Sequence, residues 1–438
     1  MLVLRIFSKG CDMAVREMKV GGDWIDNTPK SWSIKRIKFT TKRIIVGLAI
    51  PVTKYYRDQG TPIFRNTNIE EDYLEDSDVL FLDPSWASLQ KSKKIKKDDV
   101  LTVHTGYVGK SCLVPEKYEG ALTFTTLVST PNQNIVRPRF LMYAINASRK
   151  LSFLYQASST AQNNLNTADF VNLLIPLPDL EEQRLIQDFL DSKCVEIDSL
   201  TSDIEKQIET LQEYKKSVIS EAVTKGLDPN VDMKDSGVDW IGQIPVSWKV
   251  IPNKYVMKKI KDIRPVYKGE NILSLSQKGV IVRDLENPSG KMPTTFDGYQ
   301  YVKKGNLLMC LFDIDVTPRC IGLIQNDGLC SPAYSQFVLN DIGYAPYYYY
   351  YYLNLDFTKE LLHLAKNLRH SLNEEQLGNI PTPCPTMREQ VAIANFLDGK
   401  CCEIDSTIEE KQKQLETLVQ YKLSLIYEYV TGKKAVPM

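Results

Sequence analysis

The chain has 438 residues, 43% hydrophobic and 25% charged, the composition of a soluble globular protein rather than a disordered or fibrous one. Lys+Arg and Asp+Glu both number 54, so overall charge excludes nothing and local charge has to be read instead. The nine cysteines lack C-x-x-C spacing and Cys401 adjoins Cys402, which argues against a zinc site or a disulfide framework and for a reducing cytoplasm, while no apolar run approaches the length of a membrane span.

Residues 1–17 read as a disordered leader, with a non-native translation start as the simplest cause: Met18-Lys19 already stands opposite Met233-Lys234 in an internal repeat. A first domain is predicted over 18–178. It opens with "DWIDNTPKSW" at Asp23 and continues through short apolar runs of strand length, such as "DVLTVHT", separated by turns rich in Gly, Pro and Asn. "DPSW" at Asp83 reads as a surface turn, and "KSKKIKK" from Lys91 as a solvated basic face. "HTGYVGKS", from His104, imitates a phosphate-binding G-x-x-x-x-G-K-[ST] loop, with His104 where the first glycine belongs. Such a loop must open a helix, but "CLVPEKYEG" continues as strand and turn, so ATP binding is not expected. "RFLMYAINASRKLSFLY" is the one predicted helix of this domain, ahead of "AQNNLN" and the Pro-x-Pro of "IPLPDLEEQ".

Proline forces extended backbone before it and cannot sit inside a helix, so the Pro-x-Pro ends a strand or loop and aims the chain into the next element. That element is a helix over 179–226. Ile197, Leu200, Ile204, Ile208, Leu211, Val218 and Ala222 recur at alternating steps near three and four, the narrow stripe of a coiled-coil seam. A turn-rich linker, 227–238, follows.

The second half repeats the first. "DWIGQIPVSW" at Asp239 answers "DWIDNTPKSW" at an offset of 216, and "EQVAIANFLDGKCCEIDST" from Glu389 answers "EQRLIQDFLDSKCVEIDSL" from Glu182 at an offset of 207. More than half of the roughly 43 aligned helix positions are identical, which excludes chance. A second domain is therefore predicted over 239–385 and a second helix over 386–432, with its stripe at Ile404, Ile408, Leu415, Leu418, Leu425 and Tyr429. The two stripes are natural partners and, in related halves, should pair antiparallel about a pseudo-twofold axis.

Between these constant parts the halves barely agree. Opposite "DVLTVHTGYVGKSC" stands "NLLMCLFDIDVTPRC", whose D-x-D-x-T imitates a phosphatase motif instead. Two unrelated catalytic-looking motifs at one equivalent place are poor evidence for either enzyme. Both read as a strand–turn–strand whose tip is free to vary. The tyrosine run Tyr347–Tyr352 reads as helix packing rather than as a platform for stacked bases. His104, His363 and His370 have no metal-binding spacing. The two helices together carry about −6, so the rest of this neutral chain carries about +6, a modest basic bias consistent with DNA.

With "DSGVDWIGQIPVSW", the twin IP-x-P…EQ helix starts, "F-L-D-x-K…EID" in both helices and "EAVTKGLDPNVDMKDSG", the chain resembles the specificity subunit of type I restriction-modification systems over nearly its full length. The resemblance implies a mixed α/β fold: two target-recognition domains on a pseudo-twofold scaffold, separated by two long antiparallel coiled-coil helices. It implies that each domain reads one half of a bipartite asymmetric site in double-stranded DNA. The helices would set the spacer and dock two modification subunits. No catalysis is implied in this chain: S-adenosylmethionine belongs to the modification subunits, and ATP and Mg to a restriction subunit where one is present.

The resemblance also maps the reading regions. In the first domain they are Arg65, Asn66 and Asn68, then the tip with His104, Thr105, Gly106 and Lys110, and then Gln162 and Asn163. In the second they are Ser274, Gln277 and Lys278, the tip with Asp315 and Arg319, and Lys366 with Arg369. The rival class, a free-standing regulator with two DNA-binding domains, lacks a helix-turn-helix signature to support it. A fused methyltransferase would need a cofactor domain that the chain does not contain.

Overall fold

The computed structural model describes residues 25, 27–151, 165–288, 292–317, 319–365 and 370–437. The leader predicted over residues 1–17 lies outside them. The chain forms two compact units, Met1–Asp203 with Gln414–Met438, and Ile204–Lys413.

In the first unit a four-stranded antiparallel sheet runs in the order Thr41–Val46, Thr126–Pro131, Val100–Val103, Ser111–Leu113. In the second unit Met257–Ile260, Ser335–Leu339, Leu307–Met309 and Ile321–Leu323 follow the same order with the same antiparallel pairing. The predicted strands "DVLTVHT" and "NLLMCLF" thus form the third strand of each sheet. The first unit adds a smaller sheet of Tyr56–Arg57, Leu80–Leu82, Thr61–Phe64 and Leu122–Thr123 over its own core of Leu48, Ile63, Leu82 and Leu122. Asp83 does more than make a turn: its carboxylate accepts from the amides of Ser85 and Trp86 and caps the short helix Pro84–Ser88.

Each sheet packs on one helix whose central turns are buried on every side. In the first unit this is Pro138–Leu151, with Phe140 to Ile145 all buried. In the second it is Ala345–Thr358, where Tyr347, Tyr348, Tyr350, Tyr351 and Tyr352 are buried. Buried tyrosine hydroxyls usually find partners, and all of these but Tyr352 do. Tyr347 donates to Val223 O at 2.9 Å, Tyr348 to Pro383 O at 3.2 Å, Tyr350 to Asp398 at 2.7 Å and Tyr351 to Pro381 O at 2.9 Å. The tyrosine run is core, as its sequence setting predicted.

The Pro-x-Pro segments are strands. Leu174–Leu177 pairs antiparallel with Ser33–Arg36 in the first unit, and Pro381–Cys384 with Lys249–Pro252 in the second. Two-stranded ribbons tolerate proline because each proline can leave its missing donor on a free edge. The long helices then run Leu180–Lys225 and Met387–Val430. Asp179 caps the first, accepting from Glu181 N and Glu182 N. Thr386 and Glu389 form a reciprocal capping box on the second.

Behind each cap one buried glutamine ties the long helix to the segments before it and before the core helix. Gln183 accepts from Arg137 N at 2.8 Å and donates to Pro178 O at 2.9 Å and Ile135 O at 3.1 Å. Gln390 accepts from Tyr344 N at 2.7 Å and donates to Ile342 O at 2.8 Å and Pro385 O at 2.9 Å. Every partner is displaced by the repeat offset of 207. The glutamine therefore fixes the start of the long helix to the start of the core helix in each unit.

Within each unit the long helices pair antiparallel. In the first, Phe189 packs at a tilt against Tyr429 with ring centroids 4.5 Å apart, and Asp198 meets Lys422 at 2.7 Å. In the second, Gln207 meets Lys411 at 2.5 Å and Lys215 meets Asp405 at 2.6 Å. The predicted stripe is buried where a domain covers it, at Ile197, Ala222, Ile404, Leu425 and Tyr429. Ile204, Ile208, Leu211, Ile408, Leu415 and Leu418 are only half-buried, because two helices alone cannot enclose a seam. Leu200 departs from the expectation and is 48% exposed. Thr201, one position on, takes the inward place beside Ile197 and lines a cavity there with Asp198 and Lys422.

Beyond each helix the chain turns at a glycine with positive φ, Gly226 (+79°) and Gly432 (+70°). A Cβ on Gly432 would lie 2.5 Å from Pro29 Cδ, and one on Gly226 would lie 3.3 Å from the Trp248 ring. Each glycine thus seats a helix end on the Pro and Trp of a lead-in segment within its own unit.

Candidate nucleic-acid interface

The tip of the first unit, 103–110, joins two paired strands. A strand, Ser111–Leu113, follows it where a phosphate-binding loop would open a helix. His104 O accepts from Leu165 N at 2.8 Å, and Thr105 O accepts from Asn66 Nδ2 at 3.3 Å. The tip is thereby bonded to the two other predicted reading segments of this unit, at the turn around residue 66 and at the end of "AQNNLN". Gln162 and Asn163 themselves lie outside the described residues.

The second unit repeats the assembly. Leu311 O accepts from Leu372 N at 2.9 Å, the same bond shifted by 207 residues. Ile314 N donates to His370 O at 3.3 Å, and the Asp315 carboxylate lies 3.9 Å from His370 Nε2. Arg319 Nη1 donates to Gln277 O at 2.6 Å and so joins the tip to the hairpin that carries Ser274, Gln277 and Lys278. Ser274 lies within its first strand and is half-buried, while Gln277 and Lys278 are exposed at the turn. Lys366 and Arg369 lie outside the described residues.

Several polar side chains at these loci are already engaged. Lys110 is clamped by Glu70 and lies 5.3 Å over the Tyr107 ring. Arg65 reaches the Asp78 carboxylate at 2.6 Å and its carbonyl at 3.0 Å. Asn68 is buried: its Oδ1 accepts from Arg65 N at 2.8 Å and its Nδ2 donates to Asp78 O at 3.3 Å, so it shapes the turn from inside. Asn66 also accepts from Thr126 Oγ1 at 3.1 Å. Arg319 contacts the Tyr349 hydroxyl as well, with its guanidinium 5.6 Å from that ring. His104 Nδ1 lies 3.1 Å from Thr105 Oγ1, and burial pushes the His104 pKa below its ordinary value. Gly106 has φ +92° and open space around it.

Glu70, Tyr107 and Val316 belong to these loci and were not singled out in the sequence, and Tyr349, read there only as helix packing, also reaches the second one. Of the basic run from Lys91, Lys93 is spent on Val46 O at 2.7 Å and Lys97 on Glu116 at 2.7 Å. Among the described residues, no group of three or more His, Cys, Asp or Glu could hold a metal ion. Nor is any helix among them long and apolar enough to cross a membrane.

Residues 47–210 match the family model of the type I restriction modification DNA specificity domain. A putative type I restriction enzyme MjaX specificity subunit of Methanocaldococcus jannaschii is 26% identical over 430 residues, spanning 93% of this chain and 95% of that protein. The MjaVIII specificity subunit of the same organism is 26% identical over 77% of this chain and 80% of its own length. Over residues 47–210, and along most of its length against these two relatives, the chain is thus similar to the family of type I specificity subunits. A solved chain from a study of complex assembly and conformational transition of the type I R-M system superposes with a TM-score of 0.67 at 15% identity. It covers 93% of this chain and 99% of its own length, which establishes a shared fold. Members of this family are generally the non-catalytic component of restriction-modification complexes and work with DNA and partner subunits.

Proposed function

We propose that the chain is the specificity subunit of a type I restriction-modification complex, that it reads a bipartite asymmetric site in double-stranded DNA, one half through each unit, and that it catalyses nothing itself. The observation that carries this reading is the repeated locus. Three segments of unrelated sequence are gathered in each unit, by one backbone bond at an equivalent place and by side-chain bonds that differ between the units, on a scaffold that is otherwise duplicated. Unlike contents on like mounts suit two unlike half-sites held in a fixed relation.

In this reading His104, Thr105, Gly106, Asn66, Gln162 and Asn163 face one half-site, with Arg65, Asn68 and Lys110 bracing or flanking them. Gln277, Lys278, Asp315, Lys366 and Arg369 face the other, with Ser274 and Arg319 behind. Phosphate contacts set register and base-edge contacts specify sequence. The paired helices set the spacer and dock two modification subunits, which bring S-adenosylmethionine; a restriction subunit would bring ATP and Mg. The setting is the cytoplasm.

Co-expression with a modification subunit followed by methylome sequencing tests this: adenine methylation at a split site is expected. The pure chain should hydrolyse no ATP. Hydrolysis that disappears in Lys110→Ala would overturn the reading and restore a phosphate-binding role to the tip.

A further inference from the structure

The two tips share neither sequence nor length, yet both carry an apolar side chain at the apex. Tyr107 is 76% exposed and Val316 is 73% exposed, among the most exposed large apolar side chains in the described residues. Each sits mid-tip, Tyr107 between Gly106 and Gly109 with φ +92° and +84°, Val316 in a turn closed by Thr317 N on Asp313 O at 2.9 Å. Neither packs on a core of its unit. A single exposed apolar residue is ordinary; the same feature at the apex of two unrelated tips asks for a common cause.

The polar neighbours sharpen the question. Lys110, Asn66 and Arg319 all spend hydrogen-bonding groups inside the protein. Lys359, next to the second tip, is held by Asp356 at 2.8 Å and by Thr317 O at 3.1 Å. At each apex the largest side chain left projecting is mainly apolar, the Tyr107 ring beneath Lys110 in the first tip and Val316 between the exposed Asp313 and Asp315 in the second. On the major-groove edge of B-DNA the one apolar feature is the C5-methyl group of thymine.

Building on the proposed function, we infer that Tyr107 and Val316 are specificity-determining residues, each seating against a thymine methyl in its own half-site. The contact removes an exposed side chain and a methyl group from water together and makes no hydrogen bond. Through the Tyr107 ring and the Val316 methyls it distinguishes thymine from the other bases without engaging the polar groups already committed within the tip, and it does not call on the Tyr107 hydroxyl.

The test uses the full chain assembled with its modification subunits, and DNA carrying the site found by methylome sequencing. Each thymine is replaced in turn by deoxyuridine, which lacks only the methyl, and affinity is read by fluorescence anisotropy. Wild type should lose about fourfold at one thymine in each half-site, the worth of one buried methyl. Val316→Ala should lose a similar amount, become blind to deoxyuridine at that position and stay sensitive in the other half-site. Tyr107→Ala should show the mirror result. Val316→Thr, which keeps a methyl, should retain the sensitivity. Absence of thymine from both half-sites, or deoxyuridine effects that do not couple to either residue, would overturn the inference while leaving bipartite recognition standing. Loss of site-specific binding in the wild-type complex would instead overturn the reading on which it rests.

Discussion

Gln183 offers the sharpest test of how the scaffold holds its contents. Its side chain is fully buried and makes one accepting and two donating bonds, to Arg137 N, Pro178 O and Ile135 O. Gln183→Leu keeps the approximate volume and removes all three. A buried group left unpaired costs ~1–3 kcal/mol; the Pro178 bond is buried and the other two partly so, which puts the expected loss at about 1–3 kcal/mol, roughly fivefold to over a hundredfold in local opening. The Arg137 amide has Gln183 Oε1 as its acceptor, so hydrogen exchange followed by mass spectrometry should show faster exchange in peptides covering 135–137. Peptides around Tyr344 should keep their wild-type rates, because Gln390 serves that position. Gln390→Leu should reverse the pattern. A loss below about 1 kcal/mol, or equal acceleration at both places, would refute the claim that one glutamine anchors each domain to its own long helix.

His104 gives a pH dependence of defined sign. Burial lowers its folded pKa, so the unfolded chain takes up the proton more readily. Stability is undiminished above about pH 6.5 and declines as pH falls through that unfolded value. Urea melts at pH 7.5 and 5.5 should show a smaller acid loss in His104→Gln than in wild type; an identical loss would remove His104 as the cause. Asp405→Ala breaks a pair whose carboxylate is 58% exposed, and should cost less than ~1 kcal/mol, with the difference vanishing in high salt. Inserting four residues beside Lys206 adds roughly 6 Å of helix, so the methylated site should gain about one or two base pairs of spacer with both half-sites unchanged. An altered half-site with an unchanged spacer would refute the role of the helices as a ruler.

The constant parts were legible because the chain carries its own comparison. Lead-ins, Pro-x-Pro strands and long helices could be placed by aligning one half with the other, and the strand before each tip fell where the apolar runs predicted. Side-chain direction was not legible. Asn68 looks like a base reader beside Asn66, but it lies one helical step away and faces inward to hold Arg65 and Asp78. Leu200 fits a three-four stripe, yet the step of four from Ile197 brings Thr201 inward instead. The ion pair of Lys110 depends on Glu70, and the hydroxyl partner of Arg319 is Tyr349, both supplied by distant turns of the chain. Such partners are set by how strands and helices fold back on one another, which periodicity does not encode.

The way each tip is mounted explains how its content can vary. The bonds repeated at the offset of 207, Leu165 N to His104 O and Leu372 N to Leu311 O, run from backbone to backbone. A histidine and a leucine occupy the accepting position, and the bond is indifferent to both. Side chains add further links, but different ones: Asn66 reaches Thr105 O in the first unit, and Arg319 reaches Gln277 O in the second. Beneath them the glutamine network, the ribbon pairing and the helix caps repeat at equivalent positions. Constraint therefore falls on the backbone at the base of the tip and is released at the apex. A scaffold built this way lets the residues at each apex be replaced without repacking either core, which is the physical condition for one architecture to carry two unlike tips in a single chain.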